Sequence, residues 1–222
     1  MNGRNVAAEP ESIPELDFRI EDAQAQEYAA VPTIVFRLAV ESVGGQAVRA
    51  ALLDTQIQIA ARARPYEAED LDGLADLFGS ADRWSTTLRA LPWIRTTRVV
   101  PAFEGATVLD LPVVCTYDLD VIATRYFGGL SGGGVPLEFL FSGSVFYAGA
   151  AGMLQTARIS WEKEATYSLP VSVWRETMDR HFPGTAWLRV GDETYERLSR
   201  ERARRGEADF EGTLRALLEA AS

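Results

Sequence analysis

The chain carries a single histidine (His181), a single cysteine (Cys115) and a single lysine (Lys163) in 222 residues. Those three side-chain types supply most general bases, soft metal ligands and activated nucleophiles. With one of each, far apart in sequence, the usual catalytic constellations cannot readily be assembled within one subunit. One cysteine also excludes an intramolecular disulfide, so redox state does not hold this fold together. Cys115 lies in the apolar run from Leu111 to Tyr117 and reads as a buried, inert thiol. No G-x-S-x-G elbow accompanies His181, which reads as a residue capping carbonyls at a helix C-terminus ahead of Phe182-Pro183.

Basic charge is also scarce. Acidic residues outnumber basic ones 32 to 22, a net charge of −10 that repels nucleic acid and anionic lipid. The densest arginine cluster, Arg197 to Arg205, is interleaved with Glu196 and Glu201 and reads as a solvated helix face. The glycine run Gly128 to Gly134 has no lysine and leads into the strand-like Val135-Pro-Leu-Glu-Phe139, so it is no phosphate-binding loop. It reads as a long flexible hairpin loop. Residues 139–157 are uncharged, but the centre Ala148-Gly-Ala-Ala-Gly152 fits two strands joined by a glycine turn and not a membrane span. The first fourteen residues include Arg4, Glu9 and Glu11 and no apolar core, so they do not read as a secretory signal. A disordered tail over 1–14 and a cytoplasmic location are expected.

Hydrophobic residues at 47% and charged residues at 24% are ordinary globular values. Period-two alternation dominates residues 15–170. Ile34, Phe36, Leu38 and Val40 share one face, Gly44-Gly45 supplies a turn, and Leu53, Thr55, Ile57 and Ile59 follow, which together read as a hairpin. Val113, Cys115, Tyr117, Leu119 and Val121 read as a further strand. Leu71, Leu74 and Phe78, then Trp84, Leu88 and Leu91, lengthen the period into a helical insertion at about 66–91, with Ser80 as an N-cap. After Pro170 the chain turns helical. The expected fold is mainly β, an antiparallel β-sandwich over 15–170, with the helical insertion and C-terminal helices over 171–222 packed on the sandwich.

Carboxylates are the one chemical group in surplus. Asp118 and Asp120, two apart on a strand, project from one face and could hold Ca²⁺ or Mg²⁺ or act as a general acid–base pair. Asp70 and Asp72 sit near a helix N-terminus, where acids complement the dipole. Five tryptophans read chiefly as anchors between sandwich and helices, with one or two reaching the surface. The last helix carries Phe210, Leu214, Leu217 and Leu218 at i, i+4, i+7 and i+8, a strong amphipathic stripe.

Several segments together resemble an actinobacterial family known as a domain of unknown function. They are Arg64-Pro-Tyr66, Val113 to Asp118, Pro136 to Tyr147, Ile159-Ser-Trp161, Leu169 to Trp174, and Met178 to Pro183 with Trp187-Leu188. Members of that family are often encoded beside nickel–iron hydrogenase genes, so the resemblance implies an accessory role in assembling or regulating that enzyme. No functional residue follows from it. The chain's poverty in cysteine and histidine argues against its carrying nickel or an iron–sulfur cluster, and no cofactor is expected. The reading is a non-enzymatic protein-binding factor whose contacts are Trp187, Phe210, Leu214 and Leu217, its partner a hydrogenase subunit or maturation factor. The alternatives are a metal-dependent hydrolase built on Asp118 and Asp120, and a homo-oligomeric subunit joined through a sheet edge or the end helix.

Overall fold

The computed structural model of the chain describes residues 13–116, 121–149, 152–185 and 189–221. Contacts divide the chain between Thr185 and Ala186 into two compact units. In the first, β1 (Glu15–Ala25), β2 (Thr33–Val43) and β5 (Ala106–Val114) form an antiparallel sheet ordered β1-β2-β5. A second sheet holds β3 (Val48–Ile59), β4 (Leu91–Val100), β6 (Gly134–Ala148), β7 (Leu154–Ile159) and β8 (Glu164–Pro170) in the order β4-β3-β6. β7 and β8 lie in tandem along the far edge of β6, against Gly143–Ala148 and Gly134–Leu140 respectively.

The expected antiparallel sandwich is the fold, because the alternating strands leave two apolar faces that only each other can bury. Ile34, Phe36, Leu38 and Val40 of β2 and Leu53, Ile57 and Ile59 of β3 are all buried. Phe18 of β1 stacks on Phe141 of β6 at 4.2 Å, and Phe36 meets Phe139 edge-on at 5.2 Å.

Three local readings are corrected. The segments around Gly44-Gly45 are not a hairpin. β2 pairs with β1 and β5, whereas β3 pairs with β4 and β6, so the two glycines, at φ +91° and +77°, carry the chain from one sheet to the other. A hairpin would have set both apolar faces side by side; the crossing sets them face to face. The strand expected to continue to Val121 ends at Val114 in β5. Past Tyr117–Asp120, which lie outside the described residues, α3 (Ile122–Gly128) forms, and it buries Ala123, Tyr126 and Phe127 at i, i+3 and i+4. The glycine run therefore joins a helix to β6 and is not a hairpin loop.

The uncharged run over 139–157 is the second half of β6 followed by β7, turned where the Gly149 amide donates to the Met153 carbonyl at 2.7 Å. Among the described residues no helix is long and apolar enough to cross a membrane. Helices interrupt the sheets between β3 and β4: α1 (Ala68–Phe78), a 3-10 turn Ala81–Arg83, and α2 (Trp84–Thr87). Ser80 stands at the cap position of that turn, but its hydroxyl makes no capping bond. α4 (Val171–His181) continues from β8 through Pro170 and buries Val171, Trp174 and Met178.

The second unit is a helical hairpin of α5 (Asp192–Arg205) and α6 (Phe210–Ala221). α5 stops at Gly206, at φ +71°, and the Asp209 carboxylate accepts the Gly212 amide at 2.8 Å to start α6.

Candidate functional site

The glycine run converges on one buried arginine. Arg64, 7% exposed, follows the 3-10 turn Ala61–Ala63. It donates from Nη1 to the Gly134 carbonyl at 2.6 Å and from Nη2 to the Gly132 carbonyl at 2.6 Å. Nη2 also meets Asp70 Oδ2 at 3.1 Å. The Gly133 carbonyl accepts the Val171 amide at 2.9 Å, and Leu130 O accepts Arg175 Nη2 at 2.6 Å. The loop expected to be flexible is thus tied at four carbonyls. Two of the glycines are fitted to this closure: Gly133 takes φ +76°, and a Cβ on Gly134 would stand 2.2 Å from Ser168 Oγ.

Asp70 is fully buried at the third position of α1. Besides Arg64, it accepts the Ser131 amide at 2.7 Å, the Ser131 hydroxyl at 2.8 Å and the Glu67 amide at 3.1 Å. Burial alone would push its carboxyl up, but these donors outweigh it and hold the group below the usual carboxylate range. Tyr66 donates its one proton to the Ala61 carbonyl at 2.7 Å, so Tyr126 donates to Tyr66 across 2.8 Å. Burial raises both phenols above their ordinary range. A cleft of about 360 Å³, lined by Arg64, Pro65, Glu67 and Ser131–Gly134, opens beside this cluster. The donors of Arg64 are directed to carbonyls and to Asp70, and its buried Nε has no hydrogen-bond partner. The arrangement fastens α1, the glycine loop and the start of β6 together.

The residues singled out in the sequence fall elsewhere. Asp118, Asp120 and Trp187 lie outside the described residues. Among the described residues no group of three or more His, Cys, Asp and Glu side chains is placed to hold a metal ion. Cys115 is buried, which pushes its thiol up to about 12. His181 sits with Nδ1 3.0 Å from the Thr177 carbonyl and Nε2 3.0 Å from the Ala29 carbonyl, a bracket between α4 and the β1–β2 connection. In the hairpin of the second unit, Phe210 lies 5.6 Å from Tyr195, with the Arg202 guanidinium 4.6 Å over its ring. Leu214 and Leu217 are half-buried. Trp84 and Trp174 join the core of the first unit, Trp93 packs against it, and Trp161 is 83% exposed.

An apolar surface stands on the outer face of the five-stranded sheet. The register sets Val99 of β4 opposite Leu52 of β3, and Leu52 opposite Ser144 of β6. Phe146, two residues along β6, is then the diagonal neighbour of Leu52, and Leu154 of β7 is the diagonal neighbour of Phe146. Val99, Leu52 and Leu154 are exposed and Phe146 is half-buried, so the four form one stripe across four strands. Arg158, opposite Ser144, and Arg95, opposite Gln56, stand on the same outer face. The signal was in the sequence: the doublets Leu52-Leu53, Val99-Val100 and Val145-Phe146 each break the alternation by placing an apolar residue outward, and strand pairing brings the three together.

A family model described as "Family of unknown function (DUF6084)" matches residues 13–222. The chain belongs to that family. No curated protein matches this DUF6084 chain. Among solved structures it is similar to the CARDB domain of the PF1109 protein from Pyrococcus furiosus, determined in complex with di-metal ions. The identity is 10%, covering 77% of this chain and 98% of that one, at a TM-score of 0.29. It is also similar to a β-glucosidase from Kluyveromyces marxianus at 9% identity, covering 70% of this chain and 15% of that one, at a TM-score of 0.27. At such TM-scores neither likeness bears on function.

Proposed function

We propose that this DUF6084 chain is a non-enzymatic, cytoplasmic protein-binding accessory factor whose sandwich is a rigid platform for the stripe Val99–Leu52–Phe146. The observation that carries the reading is the continuity of that stripe. Single exposed apolar residues are ordinary, but a contiguous row on a rigid sheet, with arginines on the same face, has the composition of a protein interface. The partner suggested by the family resemblance is a nickel–iron hydrogenase subunit or one of its maturation factors. Trp187, Phe210, Leu214 and Leu217 form the second contact region of this proposal, although Phe210 is already engaged within its own hairpin.

The test is a crosslinked pull-down of the tagged chain from its native host, read by mass spectrometry, with Leu52→Glu and Leu214→Glu variants in parallel. A hydrogenase subunit or maturation factor is expected at near-stoichiometric yield, and Leu52→Glu is expected to cut that yield at least tenfold with its circular dichroism unchanged. Recovery of the bait alone rejects the reading. A yield lost with Leu214→Glu but kept with Leu52→Glu moves the contact to α6.

A further inference from the structure

Sheet edges are open templates for pairing, and most edges of this sandwich are blunted. β4 carries Pro92 and β5 carries Pro112 within their paired lengths. β1 has a bulge between Ile20 and Asp22, and Lys163 ties it to the β7–β8 turn through Glu15 at 2.7 Å and Asp17 at 2.8 Å. β7 has neither proline nor bulge, and among the described residues it pairs with β6 alone.

The direction of its free groups is fixed by the ladder. The Gly149 amide donates to the Met153 carbonyl, so hydrogen-bonded pairs recur at Tyr147–Gln155, Val145–Ala157 and Gly143–Ile159. The intervening residues Leu154, Thr156 and Arg158 therefore aim their amides and carbonyls away from β6. All three are exposed.

We propose that β7 pairs antiparallel with β7 of a second copy of this chain, about a two-fold axis at Thr156, joining two five-stranded sheets edge to edge. The sequence is self-complementary under that operation. Thr156 faces Thr156, a favourable cross-strand pair, and each Arg158 faces the neutral Leu154 of the other copy. The two Arg158 positions lie about 14 Å apart along the strand direction, so the lone charge on each edge meets no like charge.

The apolar ends of β7 are complementary as well. Met153 and Leu154, 68% and 69% exposed, stand at one end, and Trp161, 83% exposed, at the other. The two-fold brings the Trp161 turn of one copy beside the Met153 end of the other. It also sets Met153 of the second copy opposite Ile159, at a cleft of about 230 Å³ lined by Ile13, Pro14, Leu16 and Ile159 with Arg158 and Lys163. Covering those side chains and both edges removes on the order of 1,000 Å² from water, the lower limit for a specific interface. The dimer is accordingly concentration-dependent, and it runs the two apolar stripes into one surface.

The test is light scattering of the full chain over a concentration series, with Thr156→Pro and Thr156→Cys variants. Proline at 156 deletes only an outward amide, which an edge strand tolerates. The native chain is expected to rise from monomer toward dimer mass with concentration, while Thr156→Pro stays monomeric. At the hydrogen-bonded dyad the two Thr156 Cα atoms lie about 5.5 Å apart, within disulfide range. Mild oxidation should therefore link Thr156→Cys at least tenfold faster than Ser172→Cys on α4, a comparison that holds even if the proline variant fails to fold. A native chain monomeric throughout, or a dimer indifferent to Thr156→Pro with no preferential crosslinking at 156, overturns the proposal.

Discussion

Arg64 and Asp70 are 4% and 0% exposed at their side chains, so neither charge can turn to water if the other is removed. Breaking such a pair leaves an uncompensated buried ion, at a cost of about 3–5 kcal/mol. Asp70→Asn is expected to lower the urea unfolding free energy by about that amount, whereas Asp72→Asn, two residues on and exposed, should stay within about 0.5 kcal/mol. The pH dependence has a definite sign. The Asp70 carboxyl is held below its unfolded value, so its stabilisation is complete above about pH 4 and is lost as pH falls through the lower folded pKa. Denaturation followed from pH 6 to pH 2 should show a native-chain decline that Asp70→Asn largely lacks. From sequence, Asp70 read only as a residue complementing a helix dipole. Its larger role depends on Ser131, 61 residues further on, which no local pattern connects to it.

At the scale of elements, α1 and α3 meet backbone to backbone. A Cβ on Gly73 would stand 2.2 Å from the Gly129 carbonyl oxygen, and one on Gly129 would stand 2.4 Å from that of Gly73. Neither backbone can yield without moving its helix or the loop that follows, so Gly129→Ala is expected to destabilise by about 1–3 kcal/mol, the range of core overpacking. Gly132, in the same run, has nothing within 4 Å of its Cβ position, and its φ lies outside the left-handed range. Gly132→Ala should be neutral or stabilising by up to about 1 kcal/mol. Chemical denaturation of the two variants side by side checks both; equal losses would mean that the loop and not the helix contact sets the cost. The strands were legible because alternation is a local property, as the burial of β3 at Leu53, Thr55, Ile57 and Ile59 shows. Their partners were not. The Gly44-Gly45 turn is equally compatible with a hairpin and with a crossing between sheets, and which one forms depends on where β5 and β6 pair. The alternation of Tyr117, Leu119 and Val121 extends the expected strand right up to α3, so the short helical spacing of Ala123, Tyr126 and Phe127 gives no separate signal in the sequence.

The core cluster of the first unit extends from Leu16 to Met178. The second unit is a hairpin in which α5 buries no residue completely and α6 buries only Thr213. Exposed ion pairs such as Arg204–Glu201 and Arg215–Glu211 are screened by solvent and add too little to offset the nucleation cost of short helices in water. A chain ending at Thr185 is therefore expected to keep one cooperative thermal transition and the near-ultraviolet circular dichroism of its core tryptophans. A peptide of residues 189–222 should be largely unfolded alone. The same truncation separates the two contact regions of the proposed function, because it removes Trp187, Phe210, Leu214 and Leu217 while leaving Val99, Leu52 and Phe146 in place. If the proposed partner is still recovered by the chain ending at Thr185, the sandwich face carries the binding. If the truncated chain folds but recovers nothing, α6 carries it, and the stripe's remaining role is to extend the surface of the β7-paired dimer.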